Sequence, residues 1–393
     1  MTGPIDASAA AIARSVRAQI GDRLPDLLRD TATLVAMDSP SLNAPLLDAT
    51  AEAVADLSLG LGLNAELLPG KGDGAYARSW IQGAGRHNVL LLCHHDTVFP
   101  AGTTAGWQFR VDGDRMHGPG VIDMKGGIVL GLHTMAALAM FPDAYRSVTL
   151  LSVPDEEVRH GPPLYVQDGI THLVLTLECG RENGDIVTAR KAGAWLEINI
   201  TGLAAHAGVD PDAGRNAALA AAAEATRIAS LHRSKPGLSV TVTGLNSGVG
   251  MNTVPPEASV TVDIRALLER DMDAVISQID SRPPSDLDIS RRTLARTPAM
   301  ERTPSTARLA AIARAAARML DYPAGEQTTG GSSDACWTAA AGYPTLDGLG
   351  PVGGRDHTRE EYGLISSLAP RSGILAALVA GGPAATTTSD QPV

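Results

Sequence analysis

The chain reads as an α/β protein: a large domain on a mixed sheet, with a smaller α/β sandwich inserted into it. Three observations carry that reading. Short apolar runs rich in Val and Leu alternate with helical segments up to residue 177. Several of these runs end in His, Asp or Glu, at the carboxyl ends of strands where an open α/β sheet gathers its ligands. After Val187 the alternation changes to strand, helix, strand, strand, the order of a separate two-layer unit.

An Ala-rich helical segment over residues 7–35 opens the chain. Residues 88–93 form a buried strand that leads into His94 and Asp96 of CHHDTVF. GPGVIDMKGG carries Asp123 and opens a buried apolar helix over 128–140. A strand over 147–153 precedes Glu156 and Glu157 of SVPDEE, and one over 172–177 precedes Glu178 of TLECG. In the insert, 195–200 alternates as a strand, 217–231 is a helix, and 238–243 and 259–264 are further strands. The chain resumes with a helix over 309–320, Gly-rich loops carrying His357 in GGRDHTREEY, and a last helix near 365–379. The expected boundaries are 1–189 with 303–393 for the large domain and 190–302 for the insert. Residues 381–393, small, polar and Pro-containing, read as a fraying end.

Composition narrows the class. With 393 residues, 44% hydrophobic and 19% charged, the chain is long enough for two domains and ordinary for a globular protein. A formal charge of −11, with no Lys/Arg run, has the wrong sign for a nucleic-acid partner. Cys93, Cys179 and Cys336 are too few and too scattered for a disulfide framework or a CxxC zinc site, and read as small buried residues. Asp6, Arg14 and Arg17 interrupt the first helical stretch, so no secretory apolar region is visible. No run is expected to approach the ~18 apolar residues of a membrane span. The expectation is a soluble cytoplasmic protein without a membrane partner.

The polar residues at the strand ends suit a two-metal site. Zinc takes imidazole nitrogen and carboxylate oxygen, with about four ligands per ion and an open position when catalytic. Two His and three carboxylates suffice for two ions if one carboxylate bridges, and Asp123 lies between two sets of candidates. Adjacent Glu156 and Glu157 point in different directions, so one can bind metal while the other moves a proton. Asp96, two residues beyond His94, is placed to orient its imidazole. Paired metals lower the pKa of a shared water and clamp a carbonyl oxygen.

These motifs resemble those of the aminoacylase/carboxypeptidase-G superfamily of zinc metallopeptidases, over residues 85–365 and most of all its glutamate carboxypeptidase-like members. CHHDTVFP, GPGVIDMKGG and SVPDEE are similar to its metal and catalytic motifs; NGDIVTARKAG, AAHAGVDPDAGRNA, MNTVPPEASVTVDIR, TGGSSDA and TLDGLGPVGGRDHTREEY follow in order. The resemblance implies His94, Asp123, Glu157, Glu178 and His357 as ligands of two zinc ions, with cobalt or manganese as substitutes. Asp123 would bridge, Glu156 would act as general base, and Asp96 would support His94. The insert would be a lid and dimerisation domain, and His206 of the AHAG motif would reach a partner's active site in a homodimer. Arg265 and Asn252 would hold the substrate's carboxylate and backbone, with Lys191, Gly330 and Gly331 as further substrate contacts.

The chain departs from the family pattern in three places. Arg159 and His160 follow DEE where small residues are usual, Arg355 and Asp356 precede His357, and Met124 follows Asp123. The arginines, His160 and Asp356 bear on substrate choice. The expected activity is hydrolysis of an amide bond beside a free carboxylate in a small peptide or acyl-amino acid, releasing a C-terminal amino acid such as glutamate. The alternatives are an N-acyl-amino-acid deacylase, a biosynthetic cyclisation or amide-forming enzyme, and a non-catalytic binding protein. The last is disfavoured by the intact Glu156 and ligand set.

Overall fold

The computed structural model describes residues 5–159, 161–166, 170–248, 250–281 and 286–385. The chain divides into two compact units, residues 1–188, 302–328 and 333–393 in one, and 189–301 with 329–332 in the other.

The larger unit is built on a six-stranded mixed sheet in the order Asn64–Leu68, Tyr76–Gln82, Ser147–Val153, Asn88–His94, Leu173–Thr176, Thr345–Leu346. The first two strands join antiparallel, and the last four run parallel to one another. Parallel strands need both faces covered, which accounts for the nearly unbroken burial along Asn88–His94 and Ser147–Val153. Their carboxyl ends share one edge of the sheet. His94 pairs with Val153 and Leu92 with Thr176, so the segments 94–96, 154–157 and 177–178 leave the sheet at one level.

Helices Gly126–Leu138 and Ile365–Ala385 supply much of the main apolar core, with Ile128, Leu132, Leu375 and Leu378 all inaccessible. Gly127 permits the first helix to pass close to the sheet, because a Cβ there would lie 2.4 Å from the Leu177 carbonyl. Two windows, Val121–Leu138 and Ile365–Gly382, are long and apolar enough on average to cross a membrane, although neither is an unbroken apolar run. Asp123, Lys125 and Arg371 break the apolar runs while leaving the mean hydropathy high. The windows are 89% and 72% buried within the protein, as core helices are.

Some local expectations are corrected. The opening helix is two, Ala7–Asp22 and Leu24–Val35, divided at Arg23, whose φ of −105° precedes Leu24 and Pro25. The final helix runs on to Ala385, so residues 381–385 are helical; 386–393 lie outside the described residues.

The smaller unit has an antiparallel sheet in the order Ser239–Ser247, Glu257–Ala266, Ala192–Thr201, Asp288–Thr297. Ala194, Leu196, Ile198 and Ile200 alternate onto one face with Val260, Val262 and Ile264. Ala217, Ala221 and Ile228 of helix Ala217–Ala229, and Met272, Val275 and Ile279 of helix Glu269–Asp280, share that core. The second helix and the strand Asp288–Thr297 go beyond the expected strand–helix–strand–strand order. The strand sits at the sheet edge and is ordered by its ladder to Ala192–Thr201 rather than by an apolar pattern.

Candidate metal centre

The strand Asn88–His94 delivers His94 into the interior, where it is 1% exposed. Its Nδ1 lies 3.0 Å from the Asp96 backbone oxygen and 3.3 Å from Asp96 Oδ1. Two acceptors on that side place a proton on Nδ1 and leave Nε2 facing Asp123. Nε2 is 3.0 Å from Asp123 Oδ1 and 3.8 Å from Glu178 Oε1. On the other side of Asp123, Oδ2 is 3.1 Å from His357 Nε2, which is 3.3 Å from Glu157 Oε1. Two groups result, His94–Asp123–Glu178 and Asp123–Glu157–His357, each with donor atoms within 4.8 Å of one another. Asp123 belongs to both and turns one oxygen to each imidazole. Among the described residues, Glu156 stands outside both.

The loop carrying Asp123 is held from behind by Glu361. Its carboxylate accepts the backbone N–H groups of Gly120, Ile122 and Asp123 at 3.1, 2.8 and 3.2 Å. Gly120 is left-handed, φ 69°, a conformation that lets the chain turn sharply into this cradle. Burial pushes the Glu361 carboxyl up to about 8, against the pull of those N–H groups. Glu361 also ends the exposed loop that bears His357, itself at φ 60° with half its side chain open to solvent. One buried residue thus anchors the segments of two candidate ligands. Lys125 braces the same loop by donating to the Met37 carbonyl at 2.6 Å.

Charge is concentrated here. Burial raises the Glu156 carboxyl well above its usual range, and the charges of Glu178, Asp334 and Glu157 add to it. Burial likewise raises Glu157. Hydrogen bonds to Asp123 and Glu157 push the His357 imidazole up to about 11. Burial opposes the charge on His94, yet hydrogen bonds with Asp123 and Asp96 hold it well above the ordinary value. Both imidazoles thus hold a proton more tightly than usual among crowded carboxylates. A divalent cation in each group fits the same donors, because neutral imidazole nitrogen and carboxylate oxygen form a zinc-type set. Glu157 Oε1 is a further sign of fit: it is buried, and His357 Nε2 faces it from 3.3 Å.

Asp96 does more than face His94. Its Oδ1 accepts the Glu156 N–H and its Oδ2 the Glu157 N–H, both at 3.1 Å, while Ser41 Oγ donates to Oδ2 at 2.8 Å. Arg159, which departs from the family pattern, is folded onto Asp155 and Asp334. Arg355 and Asp356 are exposed, with Arg355 3.9 Å from Glu360; His160 lies outside the described residues. Met124 is wholly buried. All three cysteines are buried and unbridged, and burial pushes the Cys93 thiol up to about 12.

The remaining candidates belong to the smaller unit. His206 and Thr253 pair across a two-strand ribbon, and Ala207 N–H donates to the Asn252 carbonyl at 2.8 Å, so His206 and Asn252 are neighbours. Arg265 stacks 4.4 Å over Trp195, and its Nε–Nη2 edge is held by Asp263. Lys191 N–H donates to the Thr329 carbonyl at 3.1 Å. Next to it, buried Arg190 holds the Gly331 and Ser332 carbonyls at 3.1 and 3.2 Å and shapes the loop containing Gly330 and Gly331.

The supporting residues Ser41, Lys125, Glu361 and Asp334 escaped sequence reading, and Arg159 was read only as bearing on substrate choice. GGRDHTREEY displays Glu360 and Glu361 side by side, and nothing in their order separates the exposed one from the buried one. TGGSSDA did single out the neighbourhood of Asp334.

Comparison with known proteins identifies the chain's relatives. The sequence profile described as Peptidase family M20/M25/M40 matches residues 90–381. Carboxypeptidase G2 from Pseudomonas sp. (strain RS-16) is 30% identical over 310 residues, covering 76% of this chain and 75% of that protein. Among solved structures, aminopeptidase PepT from Bacillus cereus superposes with a TM-score of 0.77 at 20% identity, over 92% of this chain and 99% of its own. The M20 family metallo-carboxypeptidase Sso-CP2 from Sulfolobus solfataricus gives 0.67 at 14% identity, over 91% and 99%. At such identities the two structures speak for the fold.

Proposed function

The chain belongs to peptidase family M20/M25/M40 and is a hydrolytic enzyme; within that family we propose that it is a two-zinc carboxypeptidase releasing a C-terminal glutamate or related amino acid. The observation that carries the two-metal part is Asp123, shared between two donor groups with one oxygen toward His94 and the other toward His357. The substrate part leans on the likeness to carboxypeptidase G2. His94 and Glu178 would hold one ion, Glu157 and His357 the other, and Asp123 both. Bound zinc would lower the pKa of the attacking water and polarise the scissile carbonyl.

The chain's own residues do the rest. Glu156, outside both groups, takes a proton from the attacking water and returns it to the leaving amine nitrogen as the C–N bond breaks. Its raised affinity for a proton suits that exchange, and bound cations would lower that affinity. Arg265 receives the substrate's free carboxylate. Asp263 and Trp195 fix the guanidinium plane, and the Nη1 edge is the one offered to the ligand. Asn252 binds substrate backbone, with Lys191 and the loop at Gly330 and Gly331 as further contacts. His206 stabilises the oxyanion in the neighbouring chain of a homodimer formed through the smaller unit. The enzyme is taken to be cytoplasmic.

Product analysis with N-acyl amino acids and with α- and γ-linked glutamyl peptides tests the reading. Release of C-terminal glutamate from peptides supports it. Turnover confined to acylated amino acids would make the protein a deacylase instead.

A further inference from the structure

We propose that Arg159 is the positioning residue for Glu156, clamping the base-bearing turn to the first turn of helix Asp334–Ala340; this rests on Glu156 being the base. Arg159 Nε donates to Asp155 Oδ1 at 3.0 Å, and Nη2 donates to Asp334 Oδ1 at 2.6 Å. A third bond, from Nη1, goes to the Gly161 carbonyl. The Arg159 and Asp155 side chains are each 12% exposed and that of Asp334 only 4%. Asp334 Oδ2 receives no hydrogen bond among the described residues, and Arg159 is the cation bonded to that carboxylate through Oδ1.

The topology turns this ion pair into a brace across the site. Asp155 immediately precedes Glu156 in the turn that follows strand Ser147–Val153, and Arg159 N–H closes that turn on the Asp155 carbonyl at 3.0 Å. Asp334 begins a helix whose capping residue, Ser333, donates to Asp347 Oδ2 at 2.8 Å, just beyond strand Thr345–Leu346. Between those two strands in the sheet lie Asn88–His94 and Leu173–Thr176, the strands that lead to His94 and Glu178. The guanidinium therefore ties together loops from either side of the metal-ligand strands. Asp96 holds the Glu156 and Glu157 N–H groups, and Arg159 holds the side chain before them. A planar fork can reach two carboxylates in fixed directions, whereas a lysine ammonium offers one point.

The test compares Arg159→Met, Arg159→Lys, Arg159→Gly and Glu156→Gln as zinc-loaded full-length enzymes, by kcat, KM, metal content and Tm. A base displaced by about an ångström costs on the order of 10² in rate. Arg159→Met is expected to lower kcat by about 10- to 100-fold while KM and metal content hold. Arg159→Lys should recover only part of kcat, and added guanidinium should restore Arg159→Gly without raising Tm in proportion. Wild-type kcat in Arg159→Met, or a loss that merely follows metal content, overturns the clamp. If the Met and Gly variants do not fold, Arg159→Lys decides, and full kcat there overturns the two-armed fork. Wild-type turnover in Glu156→Gln would instead overturn the assignment of the base, a result separable from any behaviour of Arg159.

Discussion

Asp96 Oδ1 accepts the backbone N–H of Glu156 at 3.1 Å, joining the end of one strand to the turn after its neighbour. Because Oδ2 takes the Glu157 N–H in the same way, one buried carboxylate sets the position of a candidate base and a candidate ligand together. Asp96→Asn keeps only one acceptor and turns an amide NH2 toward a backbone N–H, so a buried donor is left unsatisfied. We expect kcat to fall by about 10² and zinc content to fall measurably. Unchanged kcat at full zinc content would show that the turn is held by other contacts.

Glu156 and Glu157 should separate by substitution. Glu156→Gln keeps shape but cannot take a proton, so turnover should drop by about 10² or more with both metals retained. Glu157→Ala should empty one of the two sites. Elemental analysis beside single-turnover rates distinguishes the two, and equal metal loss in both variants would contradict the division of labour.

Chelation should abolish activity, and zinc, cobalt or manganese should restore it. The carboxylates of Asp123, Glu157 and Glu178 also repel one another without a cation, so metal should raise Tm. At a free concentration of 100 times Kd the gain is about 2.7 kcal/mol. Full activity in chelator, with no transition metal by elemental analysis, would end the two-zinc reading.

A pH effect is expected far from the metal. His133 Nε2 lies 2.8 Å from Asp30 Oδ2, beside Arg23 and Asp26. Burial outweighs the Asp30 carboxylate and depresses the imidazole below its usual value. The unfolded chain then takes up a proton that the folded one resists, so this stabilisation is present above the unfolded pKa of about 6.5 and is lost as pH falls through the folded value. In saturating zinc, wild type should lose more Tm than His133→Gln between neutral and mildly acidic pH. Parallel curves would rule out His133 as the source.

Complementation tests the proposed dimer. Co-expressed His206→Ala and Glu156→Gln subunits should regain activity, because one site in each mixed dimer would have both its own Glu156 and a partner's imidazole. Demonstrably mixed dimers that stay inactive would confine His206 to its own chain and leave the metal site unaffected.

Local order carried much of this protein into view. Strands 88–93 and 147–153 were legible because burial on both faces demands unbroken Val and Leu, and the metal-type residues stand out because they follow such runs. The smaller unit was half legible. Alternation exposed its central strands, while Asp288–Thr297, an edge strand with Arg291, Arg292 and Arg296, is ordered by backbone pairing that leaves no apolar signal. What only the folded chain decided is which polar residues meet. Asp96, Ser41 and the Glu156 N–H converge from three segments, Glu361 is buried while Glu360 beside it is exposed, and Arg159 turns inward to Asp155 and Asp334. Hydrophobic periodicity reports how each element faces the core, but a hydrogen bond or ion pair depends on distances across the sheet. Those distances exist only once the strands are in register.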